Sequence, residues 1–515
     1  MTGRVYLVGA GPGDPGLLTR RGERCLAAAD VVVHDYLVGR RLLELARPGA
    51  EVITLGRSHD DRDRPSQEAI EALLVERARA GKTVVRLKNG DPFLLGRGAE
   101  EAEALRRAHV PFEVVPGVSS AFAVPAYAGI PLTHRDHASL VTIATGHQAR
   151  TGDTLGPPAL PWDALARQGG TLVLLMGMRQ LPAIMAALIA HGLPVDTPAA
   201  AIRSGTTAAQ ATVVATAGTL AERVRAAGLA APGVVVVGSV VMLRERIAWF
   251  EQRPLFGRRI VVTRPRAQAG ALADLLEAEG AEVIPFPTIA IAPPADPTPL
   301  ERAVATAGGY DWILFTSANG VEAFFARFAA ARRDLRELAA VRLAAIGPET
   351  AAQLERRLLR VAVLAADYRA EGLVAALAGE DLHGRRVLLP RAAGARPVLP
   401  EALRARGARV DELIAYRAVP PAAADVAGLT AALEAGAVDA VTFTSSSTVR
   451  NFVELLGRAA TARLFANGRP AVACIGPVTA ATARELGFGV DVMPPTWTAP
   501  ALAAALARHY GRDAA

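Results

Sequence analysis

The stretch Tyr310–Phe325 reads YDWILFTSANGVEAFF, and Val438–Val453 repeats its pattern as VDAVTFTSSSTVRNFV. In both stretches an apolar run ends in Phe-Thr-Ser and a helix-like segment follows, which predicts a strand and then a helix capped by a hydroxyl group. The offset of about 128 residues is too long for a solenoid repeat and suits two duplicated α/β lobes. Two further pairs of segments repeat with nearly the same offset: Arg258–Ile289 with Arg385–Tyr416, and Arg342–Ala378 with Ala471–Ala507.

The repeats also place polar residues at the expected starts of helices. A second strand in each lobe ends in Ile-Gly-Pro, at Ile346–Pro348 and Ile475–Pro477, and proline favours the first position of a helix. Thr350 and Thr479 then lie in the first turn. Four helix N-termini at one cleft would offer unpaired amides and favourable dipoles to several carboxylates. The alternative is that these residues only cap their helices.

Apolar runs bounded by glycine alternate with helix-like segments along the whole chain, which predicts an α/β architecture. The charged stretch Arg244–Arg259 contains a proline and a glycine, and a new apolar strand begins after it at Ile260. We place the main domain boundary there. The candidate strands of the first half are Val5–Val8, Val31–His34, Val84–Leu87, Leu140–Ala144 and Thr171–Met176.

The first half opens with a strand and a glycine-rich turn, Val5–Gly13, and Asp35 closes the next strand. A dinucleotide-binding fold would explain both features, but its motif requires a glycine at the sixth position, where this chain has Asp14. Pro12 also removes a backbone donor from the turn. The turn therefore does not match the dinucleotide-binding motif, and by itself it does not identify a ligand.

Composition excludes several classes of function. The net charge of +7 comes almost wholly from arginine, and no lysine-rich tail or basic patch with aromatic residues is present, so we expect no nucleic-acid partner. Cys25 and Cys474 are the only cysteines, which excludes a disulfide framework or a cysteine-rich metal site. The longest apolar stretch, near Val234–Leu243, is shorter than the ~20 residues of a spanning helix. We expect a soluble, cytoplasmic protein without a membrane partner.

Two longer segments of the first half decide its family: Arg86–Glu101 (RLKNGDPFLLGRGAEE) and Val115–Asp136 (VPGVSSAFAVPAYAGIPLTHRD). With the glycine turn at Val8–Thr19 they resemble the tetrapyrrole methylase family, specifically uroporphyrinogen-III C-methyltransferases. Shorter matches extend the resemblance over nearly all of residues 1–250: Thr145–His147, Thr171–Gly177 and Pro232–Arg246.

The resemblance implies a two-subdomain tetrapyrrole methylase fold over residues 1–250, with subdomains of about 1–136 and 137–250. It implies S-adenosylmethionine as methyl donor, bound in the cleft between the subdomains. The cofactor positions that it implies are Pro12, Asn89, Gly90, Asp91, Leu94, Ser119, Ser120, Met176, Gly205 and Gly233.

Asp35 matches the acid/base aspartate proposed for the family; alternatively it is a strand-end residue that caps the next turn. Arg57 stands where the family usually has a lysine as a second acid/base group. Because arginine does not lose its proton at ordinary pH, Arg57 can bind a substrate carboxylate but cannot act as a base. Asn89 also departs from the family, which has a glycine there.

Residues 258–515 resemble uroporphyrinogen-III synthase, through VVTRP, DWILFTSANGV, AIGPETA, VDELIAYRA, VTFTSSSTV and ACIGPVTA. The resemblance implies a bilobal, duplicated α/β synthase fold after a linker at 251–257. Lobe one would comprise 258–290 plus 418–515, and lobe two 291–417. Tyr416 matches a tyrosine proposed to assist the departing hydroxyl group of the substrate. The matching residues that line the cleft are Thr350, Thr479, Ser317 and Ser446.

The product of the second family is the substrate of the first. The resemblances therefore imply a bifunctional enzyme that closes hydroxymethylbilane to uroporphyrinogen III and methylates it twice to precorrin-2, toward cobalamin or sirohaem. The resemblances imply neither NAD nor a metal. They do imply a homodimer formed through the methyltransferase half. The alternatives are a methyltransferase whose synthase half only binds substrate or is inactive, a methyltransferase for a later corrin intermediate, and a nucleotide-binding regulator.

Overall fold

The computed structural model describes residues 3–56, 65–147, 159–264, 266–365, 369–419, 421, 425–466 and 468–511, without the side chains of 266–269. The chain divides into two compact units: Met1–Ile260 with Asp274–Val283 and Ala503–Ala515, and Val261–Ala273 with Ile284–Leu502. The domain and lobe boundaries given above stay predictions.

The first five strands form a fully parallel sheet of order β3-β2-β4-β1-β5. Because helices cover a parallel sheet on both faces, its central strands are largely buried, although β4 carries Arg86 and Lys88. The strands are β1 (Arg4–Gly9), β2 (Val31–Asp35), β3 (Glu51–Leu55), β4 (Thr83–Lys88) and β5 (Phe112–Val115). The helices are α1 (Arg20–Ala28), α2 (Arg40–Leu43), α3 (Gln67–Arg79), α4 (Gly98–Arg107) and α5 (Ser120–Tyr127).

The next five strands form a mixed sheet of order β6-β7-β10-β8-β9, in which only β6 and β7 run parallel. These strands are β6 (Val141–Thr145), β7 (Thr171–Leu175), β8 (Pro198–Arg203), β9 (Ala211–Thr216) and β10 (Gly233–Val237). The helices are α6 (Trp162–Arg167), α7 (Leu181–Ala190), α8 (Leu220–Ala226) and α9 (Arg244–Ile247). All five candidate strands of the sequence are confirmed, although Leu140 and Met176 lie just outside theirs.

The remaining strands form two further sheets. They are β11 (Arg259–Val262), β12 (Glu282–Pro285), β13 (Ala290–Ala292), β14 (Trp312–Phe315), β15 (Arg342–Ile346), β16 (Val363–Ala365), β17 (Arg386–Ala392), β18 (Arg409–Val419), β19 (Ala440–Phe443) and β20 (Ala471–Cys474). The four-stranded sheet has the order β12-β11-β19-β20, and the six-stranded sheet has the order β13-β18-β17-β14-β15-β16. In the six-stranded sheet only β13 runs antiparallel to its neighbour.

The helices of this part of the chain are α10 (Arg266–Ala278), α11 (Thr298–Ala305), α12 (Ala318–Ala330), α13 (Pro348–Glu355), α14 (Ala370–Ala376), α15 (Val398–Ala405), α16 (Val426–Glu434), α17 (Ser446–Leu456), α18 (Arg458–Phe465), α19 (Pro477–Glu485) and α20 (Ala499–Gly511). None of the described helices is long and apolar enough to cross a membrane.

Buried threonine side chains reinforce the pairing of β11 with β19. Thr263 donates its hydroxyl hydrogen to the carbonyl oxygen of Thr442 (2.7 Å), and Thr442 donates to the carbonyl oxygen of Val261 (3.0 Å). Both hydroxyl groups are thereby satisfied although neither threonine is exposed to solvent. β11 is thus hydrogen-bonded to β19, a strand far along the chain.

Candidate active sites

Three glycines allow the loops after β1, β4 and β5 to meet without intervening side chains. A Cβ atom on Gly117 would lie 2.3 Å from the carbonyl oxygen of Gly90 and 2.6 Å from the Cα atom of Gly9. Gly90 itself has a φ of 68°, and its amide donates to the carbonyl oxygen of Gly11 (2.8 Å). Only glycine fits at such an approach, so this junction, Gly9–Gly90–Gly117, lets the backbones of the three loops pack directly against one another.

The loop Asn89–Asp91 is held on both sides. The carboxylate of Asp91 accepts from the amide of Phe93 (2.8 Å) and from that of Gly117 (3.1 Å), which ties the loop to the one after β5. Ser119 caps α5 by accepting from the amide of Ala121. Asn89 is not among the described residues with positive φ, so its replacement of glycine causes no backbone strain.

The second subdomain approaches the same loops. Leu94 packs against the core that contains Val173 and Ile202 of the mixed sheet. A Cβ atom on Gly205 would lie 2.4 Å from the side chain of Val124 in α5. Val234 pairs with Leu175, so Met176 and Gly233, one residue beyond this pair, lie at the same edge of the sheet.

The turn that holds Pro12 is also fixed to this subdomain. The amide of Asp14 donates to the hydroxyl oxygen of Thr206 (3.1 Å), and the hydroxyl of Tyr127 donates to the Asp14 carboxylate (2.7 Å). Burial and the bond to Asp14 raise the pKa of Tyr127 well above its ordinary value, so Tyr127 remains a donor. The cofactor positions named from the sequence thus lie on loops that contact one another.

Backbone strain is concentrated in these loops. Eight described residues other than glycine have a positive φ, and five of them belong to the loops after β4, β7 and β8: Leu95, Arg97, Met176, Ser204 and Thr206. Such conformations cost free energy and persist where surrounding structure fixes them, most often at ligand sites. This pattern supports a binding site at the cleft, and it has no signature in the sequence.

Asp35 lies at the end of β2 within a charged cluster. Its carboxylate accepts from the Arg86 guanidinium (2.6 Å) and from the amide of Asn89 (3.2 Å). Burial alone would raise the pKa of Asp35, but Arg86 and Lys88 hold that pKa below its usual value. Arg57, the second residue that the sequence placed here, lies outside the described residues.

In the second half of the chain, Ser317 and Tyr416 come together although 99 residues separate them. Their hydroxyl oxygens lie 2.9 Å apart, and Ser317 also caps α12 by accepting from the amide of Gly320. Tyr416 lies on β18 beside buried Ala415 and is 8 % exposed. Thr350 lies in the first turn of α13, as its position after Ile-Gly-Pro predicts, and is buried.

The corresponding residues of the other lobe show a different pattern. Ser445, not Ser446, takes the place of Ser317 and caps α17. Ser446 donates to the carbonyl oxygen of Val478 (3.3 Å) and accepts from the hydroxyl of Thr482 (2.8 Å), so it joins α17 to α19. Thr479 is buried in the first turn of α19. Substrate binding by Ser446 stays a prediction.

One ion pair links the segment after β11 to the start of α13. Arg264, just after β11, donates to the carboxylate of Glu349 in the first turn of α13 (3.2 Å). The side chain of Arg264 is 14 % exposed and that of Glu349 is 59 % exposed. This pair was not predicted from the sequence. Arg264 could have been noticed, because a positive residue is expected where a polyanion binds. The partners of Asp35 were not predicted either, although an arginine and a lysine in the apolar strand β4 could have indicated them.

Among the described residues, no three His, Cys, Asp or Glu side chains form a group that could hold a metal ion. The expectation that neither metal nor NAD is required stays a prediction. The sites are built instead from backbone groups, hydroxyls and buried charges.

Comparisons with known proteins match the two halves of the chain to two different families. Residues 4–221 match the family model for tetrapyrrole (corrin/porphyrin) methylases, and residues 270–504 match that for uroporphyrinogen-III synthase HemD. The porphyrin biosynthesis protein HemD of Ruminiclostridium josui is 37 % identical over 94 % of this chain and 94 % of its own length. A siroheme synthase of Stutzerimonas stutzeri is 50 % identical over 50 % of this chain and 54 % of its own length. The chain thus spans about half of that relative.

A crystal structure of uroporphyrin-III C-methyltransferase from Thermus thermophilus, in complex with S-adenyl homocysteine, is also similar. It shows 40 % identity and a TM-score of 0.40, and the match covers 47 % of this chain and all of that one. Because one relative aligns with nearly the whole chain and two family models divide it, the chain belongs to the family that joins a tetrapyrrole methylase to a uroporphyrinogen-III synthase.

Proposed function

We propose that the chain is a bifunctional enzyme that cyclises hydroxymethylbilane to uroporphyrinogen III and methylates this product twice to precorrin-2. Precorrin-2 would then enter the branch toward cobalamin or sirohaem. The observation that carries the proposal is that the two family models match different parts of one chain, residues 4–221 and 270–504. The product of the synthase family is the substrate of the methylase family, so fusion would join consecutive steps.

The methyl donor proposed for the first half is S-adenosylmethionine, which supplies an electrophilic methyl group. The Gly9–Gly90–Gly117 junction supports this assignment because it packs together the loops that carry the proposed cofactor positions. The loops that carry Asn89, Gly205 and Gly233 would hold the adenosine and amino-acid parts. Their contribution would be to orient the substrate carbon and to exclude water, which are the main requirements of a direct displacement.

Two residues are assigned to acid/base chemistry or substrate binding by resemblance. Asp35 would take a proton from the ring system, an assignment that competes with an anchoring role for the same carboxylate. Arg57 would bind a carboxylate of the tetrapyrrole, since its guanidinium keeps its proton.

The proposed site of the second half combines Tyr416, Ser317 and the helix starts around Thr350 and Thr479. The Tyr416 hydroxyl, fixed by Ser317, would donate to the departing hydroxyl group of hydroxymethylbilane. Helix N-termini would bind the carboxylates and so hold the chain in a shape that closes into a ring. The competing hypothesis is a methyltransferase with an inactive synthase half, and the intact Ser317–Tyr416 pair favours activity.

We further propose a homodimer formed through the methylase half. Several large apolar side chains of this half are about half exposed, among them Phe93, Phe122, Leu140 and Met242. Burial against a second copy would remove apolar surface from water. Light scattering of the purified protein tests this proposal, and a monomer at micromolar concentration would contradict it.

The main experiment is anaerobic incubation of the pure protein with hydroxymethylbilane, with and without S-adenosylmethionine, followed by isomer analysis. We expect type III uroporphyrinogen without the methyl donor and a dimethylated product with it. Formation of only the spontaneous type I isomer would show that the second half is not a working synthase. Type III product without methylation would contradict the proposed methyltransferase activity. Arg57, which stands where the family has a lysine, would then be the first residue to test.

A further inference from the structure

Four charged side chains form a quartet next to the Asn89–Asp91 loop: buried Arg86 and Lys88 of β4 and buried Glu101 of α4, together with Asp35 of β2, whose side chain is 30 % exposed. One Glu101 oxygen accepts from both Arg86 (3.0 Å) and Lys88 (2.8 Å). Arg86 also donates to Asp35 (2.6 Å). Glu101 is not exposed at all, and Arg86 and Lys88 are 2 % and 3 % exposed.

The quartet is costly for the fold alone. Two positive and two negative groups balance in charge, but moving such groups out of water offsets most of their attraction. The second carboxylate oxygen of Glu101 is buried without a hydrogen-bond partner among the described residues, which adds to the cost. Apolar residues would pack here at lower cost, so a role beyond stability is indicated.

The contacts lead from the interior of the domain to the loop. Asp35 accepts from the amide of Asn89, the first residue of the loop (3.2 Å), and Lys88 directly precedes Asn89 in the chain. Two of the four groups therefore fix where the loop leaves β4. Each Asp35 oxygen already has a donor, so protonation would disturb the contacts to Arg86 and Asn89 that hold the loop.

We propose that the quartet Asp35, Arg86, Lys88 and Glu101 sets the position of the Asn89–Asp91 loop, with Asp35 as a fixed anion that orients the loop instead of transferring a proton. The proposal rests on the proposed function, since it concerns the loop assigned to S-adenosylmethionine. Glu101 is then a positioning residue that acts only through Arg86 and Lys88.

The test compares two variants of the full chain, Glu101→Gln and Asp35→Asn, with Glu103→Gln as a matched control. Glu103 lies on the same helix, but its side chain is 73 % exposed. Calorimetry gives the Kd of S-adenosylhomocysteine, and steady-state kinetics gives kcat and both KM values. Misplacement of the loop should raise this Kd and the KM of S-adenosylmethionine about ten- to a hundredfold. In Glu101→Gln, the KM of uroporphyrinogen III and kcat at saturation should stay within about threefold, and the control should match the wild type.

The opposite pattern would overturn the proposal: Asp35→Asn lowers kcat more than a hundredfold while the Kd of S-adenosylhomocysteine is unchanged. If Glu101→Gln does not fold, Arg86→Lys replaces it, because it keeps the charge but cannot bridge Glu101 and Asp35; unchanged affinity in that variant would equally refute the proposal. A wild-type protein that does not bind S-adenosylhomocysteine at all would instead refute the proposed function.

Discussion

Replacement of Gly117 by alanine is the sharpest test of the Gly9–Gly90–Gly117 junction. The new Cβ atom would lie 2.3 Å from the carbonyl oxygen of Gly90, whereas ordinary contact begins at 3.4 Å. The loop after β4 must therefore move by about 1 Å, and main-chain atoms of Gly9 on the other side prevent the new methyl group from turning away. The clash falls on backbone and cannot be relieved by a side-chain rotation.

Overpacking of this kind costs about 1–3 kcal/mol. If the cost is paid only when the loop takes its binding position, the Kd of S-adenosylhomocysteine rises about 5- to 150-fold. Calorimetry on the full chain measures this Kd, and thermal unfolding shows whether the fold is retained. Gly39→Ala is the control, since its Cβ atom would meet nothing nearer than 3.9 Å and its φ of −63° suits alanine.

The reasoning is refuted if Gly117→Ala folds and binds S-adenosylhomocysteine within twofold of the wild-type and control proteins. Loss of binding in the control as well would show that the edge of the sheet tolerates no substitution. The binding defect of Gly117→Ala could then not be attributed to the junction.

Three further outcomes are expected. Tyr416→Phe should slow cyclisation of hydroxymethylbilane about tenfold or more without changing the melting temperature, and a fully active variant would exclude the proposed role of Tyr416. Ser317→Ala should instead lower the free energy of unfolding by about 1 kcal/mol, because α12 loses its cap. Glu349→Gln should lower the KM for this polyanionic substrate and Arg264→Gln should raise it, because Glu349 competes with substrate for the same guanidinium; shifts in the same direction would contradict this competition. Burial raises the pKa of Cys474 to about 12, so a disulfide reagent at pH 8 should modify this thiol only after unfolding, and rapid modification of the native protein would show that the site opens.

Local features of the fold were predictable because each depends on a few neighbouring residues. The apolar runs fixed the strands of the first half, and the Phe-Thr-Ser pattern indicated that a serine caps α12. Proline after Ile-Gly indicated the start of α13 in the same way. Met176 shows the limit, since its left-handed backbone (φ 58°) ends β7 although its side chain continues the apolar run.

Contacts between distant segments were not predictable from one sequence. Tyr416 and Ser317 each carry a hydroxyl group, but only the pairing of β18, β17 and β14 brings them within hydrogen-bond distance. Arg86 was visible as a charge in an apolar strand, which implies a partner, yet Asp35 and Glu101 were two among many carboxylates. The missing information was the order of strands in the sheet.

The pairing of β11 with β19, with its hydrogen bonds from Thr263 and Thr442, has a consequence for folding during synthesis. Its hydrogen-bond partners are 179 residues apart, which at about 5–20 residues per second separates their synthesis by roughly 10 to 40 seconds. All of β13 to β18 leaves the ribosome in that interval and can complete its own sheet. We therefore expect the six-stranded sheet to fold first, while the edge of β11 that pairs with β19 stays open and is the part of the nascent chain that most needs protection from aggregation.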